Sequence, residues 1–363
     1  MSFIFLSIFF LHFWSATTSV LHAEEPISKE KIKISQRQLI VNGAPFVMKG
    51  ACYHPVRKGQ TIPDGLMTLH PTKKDLLTIE EDFKMMHAAG INTIRTYEPI
   101  LDARILSLLV KYQLRTIVPV CANCKTGLYD FSSTINTLKN HPSTLIWEVG
   151  NEWNYNFFYS TEKGGSGAKG TVLTFKECVT LIQQASAYIK SQDPTHPVST
   201  DLGDLPKNHR EDLKRLLSSL DLCGINVYDG LTFGNRFQEW KALSEKPLYI
   251  GECGADAFNE LTHSYDPNAQ AVATRFLLAE ILQNLSANNP NNVLIGGCIF
   301  EWNDEWWKDP KGSPATHDTG GFKVDHGGPY PDHYFNEEWF GVVSIDRQPR
   351  LAYEEMKRLF KML

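Results

Sequence analysis

The chain has 363 residues, 42% of them hydrophobic and 11% aromatic, which is enough to bury a large core and too long for one small module. Lys and Arg number 36 against 41 Asp and Glu, a formal net charge of -5, so no basic field exists to hold a phosphate backbone, and nucleic-acid binding is disfavoured. Pro and Gly are spread along the chain and the mean hydropathy is -0.27, which argues against long disorder and against a polytopic membrane protein.

The one membrane-like stretch lies at the start. Residues Phe3 to Trp14, FIFLSIFFLHFW, are almost wholly apolar, and the small, mostly polar Ser15 to Ser19 and then Val20-Leu21-His22-Ala23 follow. This pattern reads as a signal peptide over residues 1–23, with a mature chain from Glu24, a secreted or periplasmic location and no stable membrane insertion after cleavage. Seven cysteines are an odd number, which speaks against a dense disulfide scaffold. Cys52, Cys223, Cys253 and Cys298 lie in or beside apolar runs and read as buried thiols; Cys121 and Cys124 form a lone C-x-x-C, open to a loop disulfide or redox role as the minority alternative.

Further along, Gln38 to Gly50 (QLIVNGAPFVMKG) sets Asn42-Gly43 between two apolar runs and predicts a β-hairpin. Eight apolar, strand-like runs follow: Phe46 to His54, Asn92 to Tyr97, Arg115 to Val120, Leu145 to Gly150, Pro197 to Asp201, Leu222 to Tyr228, Leu248 to Glu252 and Val293 to Trp302. Between and after them the periodicity predicts helices over Asp75 to Ala89 (stopped by Gly90), Ala103 to Tyr112, Phe175 to Lys190, Asn268 to Leu285 and Ala352 to Leu359; in the fourth, Val272, Phe276, Ala279 and Leu282 share a face. Strands that are continuously apolar rather than alternating are buried on both sides. Eight β/α alternations of this kind imply an α/β fold, a closed (β/α)8 TIM barrel whose N-terminal β-hairpin plugs the bottom. A doubly wound sheet would need a Gly-rich phosphate turn after its first strand, and Gly50-Ala51-Cys52-Tyr53-His54 is not one. Residues 24–363 read as a single domain, with loops 153–171 and 303–336 as candidate substrate-binding walls.

In such a barrel the reactive groups project from the C-terminal ends of the strands. Strand four runs out as Trp147-Glu148-Val149-Gly150-Asn151-Glu152-Trp153 and strand seven as Tyr249-Ile250-Gly251-Glu252-Cys253-Gly254, so two glutamates emerge on one rim. Opposed carboxyl groups are what cleavage of a glycosidic bond requires, one protonated to serve the leaving oxygen and one ionised to attack the anomeric carbon.

WEVGNEW and YIGECG resemble the acid/base and nucleophile signatures of the clan A glycoside hydrolases, retaining barrels with their catalytic carboxylates on strands four and seven. That resemblance implies Glu152 as general acid/base, Glu252 as nucleophile and Asn151 as the partner of the sugar 2-hydroxyl. It also implies Arg95, in NTIRTY, as the cation that keeps the nucleophile ionised, Tyr228, in GINVY, as its hydroxyl partner, and Trp302, in FEW, as the floor of the cleaved subsite. Within the clan, QLIVNGAPFVMKG and the ending from Glu338 to Tyr353 most resemble the barrel domain of family 2 glycosidases, with related β-glucan-active barrels such as the family 72 glucanosyltransferases near. The expected activity is retaining hydrolysis of β-linked oligosaccharides or glucans. Transglycosylation is a close alternative, and a non-catalytic carbohydrate-binding barrel a more distant one. No cofactor is implied.

Weaker features remain. Tyr53, His54 and Tyr97 are candidate lining for the non-reducing sugar, and Glu301, Asp304 and Glu305 with Trp306 and Trp307 read equally well as a sugar-binding wall or as an acidic loop folded on its neighbours. His317, His326 and His333 alternate with Asp318, Asp325 and Asp332, yet no spacing fits a standard metal site, so an ordered polar loop is expected and no metal.

Overall fold

A computed structural model describes residues 31–120, 131–156, 173–324 and 326–362. The expected signal peptide, the Cys121/Cys124 pair, most of the 153–171 loop and Asp325 lie outside the described residues.

Eight parallel barrel strands form at the predicted runs: Met48–Cys52, Thr93–Arg95, Arg115–Val120, Thr144–Val149, a fifth strand in two pieces (Val198–Ser199 and Asp201–Gly203), Cys223–Asn226, Leu248–Cys253 and Leu294–Ile299. Each pairs with the next, and the eighth pairs in parallel with the first (Gly296 opposite Met48), so the sheet closes on itself. The break in the fifth strand falls at Thr200. Val198–Ser199 pairs with strand four and Asp201–Gly203 with strand six, and the ring is continuous through that one residue.

The Asn42-Gly43 hairpin is present, both residues taking positive φ (53° and 89°) as a tight two-residue turn demands. The sequence did not announce a further strand ahead of it, Ile32–Ser35, which pairs antiparallel with Gln38–Val41. Ile32, Leu39 and Val41 from this small sheet pack with Met48, Leu145, Leu222 and Ile295 at the N-terminal ends of the barrel strands, closing the bottom with apolar surface.

Helices wrap the outside. The first, α1 (Lys73–Ala89), begins at a capping box between Thr72 and Asp75 and ends at Gly90 in the left-handed conformation; α2 (Ala103–Lys111) follows. Next come α3 (Ser132–Leu138), α4 (Trp153–Asn156), α5 (Phe175–Gln192), α6 (Arg210–Ser219), α7 (Arg236–Leu243), α8 (Pro267–Gln283) and α9 (Leu351–Phe360). One face differs from expectation. In α8 the buried stripe is Ala273, Leu277, Leu278 and Ile281, while Phe276 is 48% exposed. Two overlapping apolar stripes run along this helix, and the aliphatic one fits against the barrel.

Candidate active site

The barrel interior changes character from bottom to top. Ile117, Ile146, Tyr249 and Cys298 fill its middle, and above them sits a fully buried guanidinium, Arg95, on strand two. Its Nε donates to both oxygens of Glu148 at 3.0 Å, its Nη2 to Glu148 Oε1 and Asn151 Oδ1 at 2.8 Å, and its Nη1 to Glu252 Oε1 at 2.7 Å. Burial opposes the charge on Arg95, but Glu148, Asp201, Tyr97 and Glu252 around it outweigh that and hold it protonated. One cation thus organises strands two, four, five and seven.

Asp201, at the resumed fifth strand, lies 3.7 Å from Arg95 Nη2, and neither of its oxygens has a hydrogen-bond partner among the described residues. Burial pushes its pKa well up, and the nearby carboxylates add to this, so Asp201 is held toward its neutral form. Its carboxyl group fills the space over Gly251, where a Cβ would collide with it; only glycine lets strand seven pass so close.

Glu252 ends strand seven as a buried carboxylate with three donors: Arg95 Nη1 and Tyr97 OH on Oε1, both at 2.7 Å, and Tyr228 OH on Oε2 at 2.9 Å. Glu152 is only partly buried as a residue and stands on a left-handed backbone (φ 48°) two residues past Gly150, its N–H donating to Asp201 O at 3.1 Å. Asn226 Nδ2 donates to Glu152 Oε1 and to Asn151 Oδ1, each at 3.1 Å. Burial of its carboxyl group, then the charge of Glu252, push the pKa of Glu152 up to about 7, against the pull of Asn226 and Arg95. The two carboxyl groups therefore differ in surroundings: a guanidinium and two hydroxyls grip Glu252, while one amide touches Glu152.

The structure brings together Glu152, Glu252, Arg95, Asn151 and Tyr228 as the sequence places them, and it draws Tyr97 inward onto Glu252 rather than leaving it on the rim. His54 is buried, with Nδ1 at 2.8 Å from Glu305 and its ring 5.3 Å from Tyr97. Trp302 is a correction. Its ring is fully buried outside the barrel against Tyr353, and its indole N–H donates to Asp82 of α1 at 2.9 Å, so it does not floor the cleft. Tyr53 goes the same way, its hydroxyl donating to Asp82 at 3.0 Å. The aromatic ring that strand eight sends inward is Phe300, 6.1 Å from Tyr228. Sequence reasoning gave no role to Glu148, Asp201 or Asn226, although all three are polar residues on or at the ends of apolar runs.

The loop after strand eight folds largely on its neighbours. Asp304 takes both Nη atoms of Arg350, at 2.6 and 2.7 Å. Glu305 sits between His54 and Lys308, and Lys308 also approaches Glu337 at 3.5 Å and Glu301 at 3.8 Å. His317 is stacked between Trp306 and Trp339, and burial lowers its pKa to about 4. Among the described residues no group of three or more His, Cys, Asp or Glu is arranged to hold a metal ion.

Residues 124–276 match the family description "Glycosyl hydrolases family 2, TIM barrel domain". Over that stretch the chain is similar to the family 2 glycosyl hydrolase barrel. The match spans the strands that carry Glu152, Asp201, Asn226 and Glu252. Among curated relatives, β-glucuronidase of Rattus norvegicus is 22% identical over 304 residues, covering 77% of this chain and 42% of its own. β-Galactosidase of Vibrio vulnificus strain YJ016 is 24% identical over 287 residues, covering 68% and 25%. The family 2 β-galacturonidase of Eisenbergiella tayi superposes with a TM-score of 0.62 at 20% identity over 92% of this chain and 55% of that one. Faecalibacterium prausnitzii β-glucuronidase gives 0.62 at 18% over 92% and 52%. The chain spans less than half the length of the curated relatives it matches.

Proposed function

We propose that the protein is a retaining β-glycoside hydrolase of β-linked oligosaccharides or glucans, with Glu252 as nucleophile and Glu152 as general acid/base. The observation that supports this most is the contrast between the two carboxyl groups. Three donors make Glu252 an oriented carboxylate, and Glu152, with a pKa near 7, holds a proton at the pH where the reaction must run.

In the first step a Glu252 oxygen forms a bond to the anomeric carbon as the bond to the leaving oxygen breaks, and that oxygen takes the Glu152 proton. Glycosylation removes the charge of Glu252, one of the causes that raise the pKa of Glu152. Glu152 then becomes more acidic, a change the Asn226 hydrogen bond favours, and it accepts a proton from the water that attacks the same carbon while Glu252 leaves. Two inversions give net retention. Asn151 donates to the sugar 2-hydroxyl, its oxygen being turned to Arg95 and Asn226, and His54 lines the same subsite. All proton and nucleophile chemistry comes from the two carboxyl groups, so no cofactor is required. The apolar start, Phe3 to Trp14, supports export of the mature chain from Glu24 to the periplasm or medium; intact mass of exported protein tests it, and retention of residues 1–23 overturns it.

The test of the chemistry is Glu252→Ala. Circular dichroism of the variant should be unchanged and turnover lost, with azide or formate restoring product of inverted configuration. Unchanged turnover in that variant removes Glu252 from the nucleophile role.

A further inference from the structure

A cavity of about 350 Å3 opens in the loop after strand eight, within the roughly 300–1,000 Å3 typical of small-molecule sites. Three of its carboxylates are part of its wall: Asp309 accepts the N–H groups of Lys311 and Gly320, Asp318 that of Ser313, and Glu338 those of Asp309 and Asp318. Each closes a turn of the loop, which explains the acidic composition without a ligand.

Three other lining groups are not accounted for in that way. Asn336 is 2% exposed, and neither its amide nitrogen nor its amide oxygen has a hydrogen-bond partner among the described residues. A buried amide unsatisfied at both ends is rare in a native structure and calls for a partner, because both groups have given up water. Phe322, 50% exposed, stacks on Phe335 at 5.2 Å and turns its other side outward. Glu337 keeps 28% of its side chain exposed, with Lys308 3.5 Å away. An amide offering both donor and acceptor, a carboxylate and an open aromatic face together suit a pyranose, which has hydroxyls around its edge and an apolar C–H face.

The cavity is linked to the Glu252 carboxylate through two aromatic rings. Phe335, beneath Phe322, is edge-on to Tyr228 at 5.1 Å, and Tyr228 donates to Glu252. Glu337 lines the cavity, and its charge adds to the rise in the pKa of Glu152.

We infer that this cavity is a subsite for a neutral sugar unit beyond the one cleaved, with Asn336 bonding its hydroxyls and Phe322 stacking on its face, so that the substrate is an oligosaccharide rather than a single sugar on an arbitrary aglycone. The inference rests on the hydrolase reading above. The experiment compares kcat/KM on nitrophenyl β-glycosides carrying one, two and three neutral sugars, and on the free β-linked oligosaccharides, for the wild type, Asn336→Ala and Phe322→Ala.

Efficiency should rise at least about tenfold on going beyond one sugar, and both variants should lose that gain while changing the single-sugar glycoside by less than about threefold. Equal efficiency at every chain length overturns the subsite and leaves the hydrolase reading standing, as does an equal loss on long and short substrates in the variants. Absence of turnover on every glycoside, with no covalent labelling of Glu252 by a 2-fluoro glycosyl fluoride, overturns the hydrolase reading and the subsite with it. Binding of the oligosaccharides to Glu252→Gln by calorimetry guards against a folding defect, since Asn336→Ala in that background should weaken binding with its melting temperature retained.

Discussion

Replacing Glu152 by Gln isolates the proton it is placed to give. With its pKa near 7, about half of Glu152 is protonated at pH 7 and about a tenth at pH 8, so kcat/KM on a sugar leaving group should fall about fivefold from pH 7 to pH 8 and about tenfold per pH unit beyond. The direction follows from burial and the charge of Glu252, both of which disfavour the ionised form. Gln keeps the shape and the Asn226 neighbour but cannot donate that proton, so the alkaline limb should vanish and the rate on oligosaccharide should drop by about 10²–10⁴. A nitrophenolate needs little protonation to leave, so glycosylation by a nitrophenyl glycoside should change far less. The assay is a pH profile of kcat/KM for both substrate types in both proteins. An alkaline limb of unchanged midpoint in Glu152→Gln, or an equal loss on both leaving groups, would refute the assignment.

Three further outcomes follow from the same geometry. Arg95→Met strands Glu148 and Glu252 in the barrel without their cation and should cost about 3–5 kcal/mol of stability by denaturant titration; a loss within 0.5 kcal/mol would mean the network relaxes freely. Trp302→Ala should cost about 3–5 kcal/mol through the cavity left in the outer core, with KM for the folded variant changed less than about threefold, whereas a large rise in KM would return Trp302 to the cleft. Lys308 is already committed to Glu301, Glu305 and Glu337, so it has little capacity to hold a substrate carboxylate. Neutral β-glycosides should therefore be better substrates than β-glucuronides, despite the names of the relatives, and a preference for the uronide would show that the loop rearranges to free it.

The barrel was legible because its strands are continuous apolar runs and its helices carry caps. The stop at Gly90 ends α1 where it was expected, while its start at Lys73, capped by Thr72 with Asp75, lies two residues ahead of the predicted one. The candidate pair, Glu152 and Glu252, was legible because a buried strand that turns polar at its C-terminal end has few structural reasons to do so, and their proposed roles came from the resemblance of WEVGNEW and YIGECG. The same rule, applied evenly, finds Asp201 and Asn226, to which the sequence reading gave no role although Asn226 lies within GINVY. Trp302 was misplaced because the in-and-out alternation that puts Cys298 and Phe300 inside does not carry through to residue 302, and nothing in Phe300-Glu301-Trp302 announces the change. The buried stripe of α8 was missed because two apolar stripes compete on one helix, and only the shape of the barrel chooses between them. The fate of the 303–308 loop turned on partners far along the chain, Arg350 for Asp304 and His54 for Glu305, and such long-range pairings leave no local trace.

The most direct test of the account is to trap the intermediate. The protein is incubated with a neutral 2-deoxy-2-fluoro-β-glycosyl fluoride, digested, and mapped by mass spectrometry. One sugar on the peptide carrying Glu252, removed slowly by water and absent from Glu252→Gln, is the predicted result; a sugar on another carboxylate, or steady hydrolysis with no adduct at all, would contradict it.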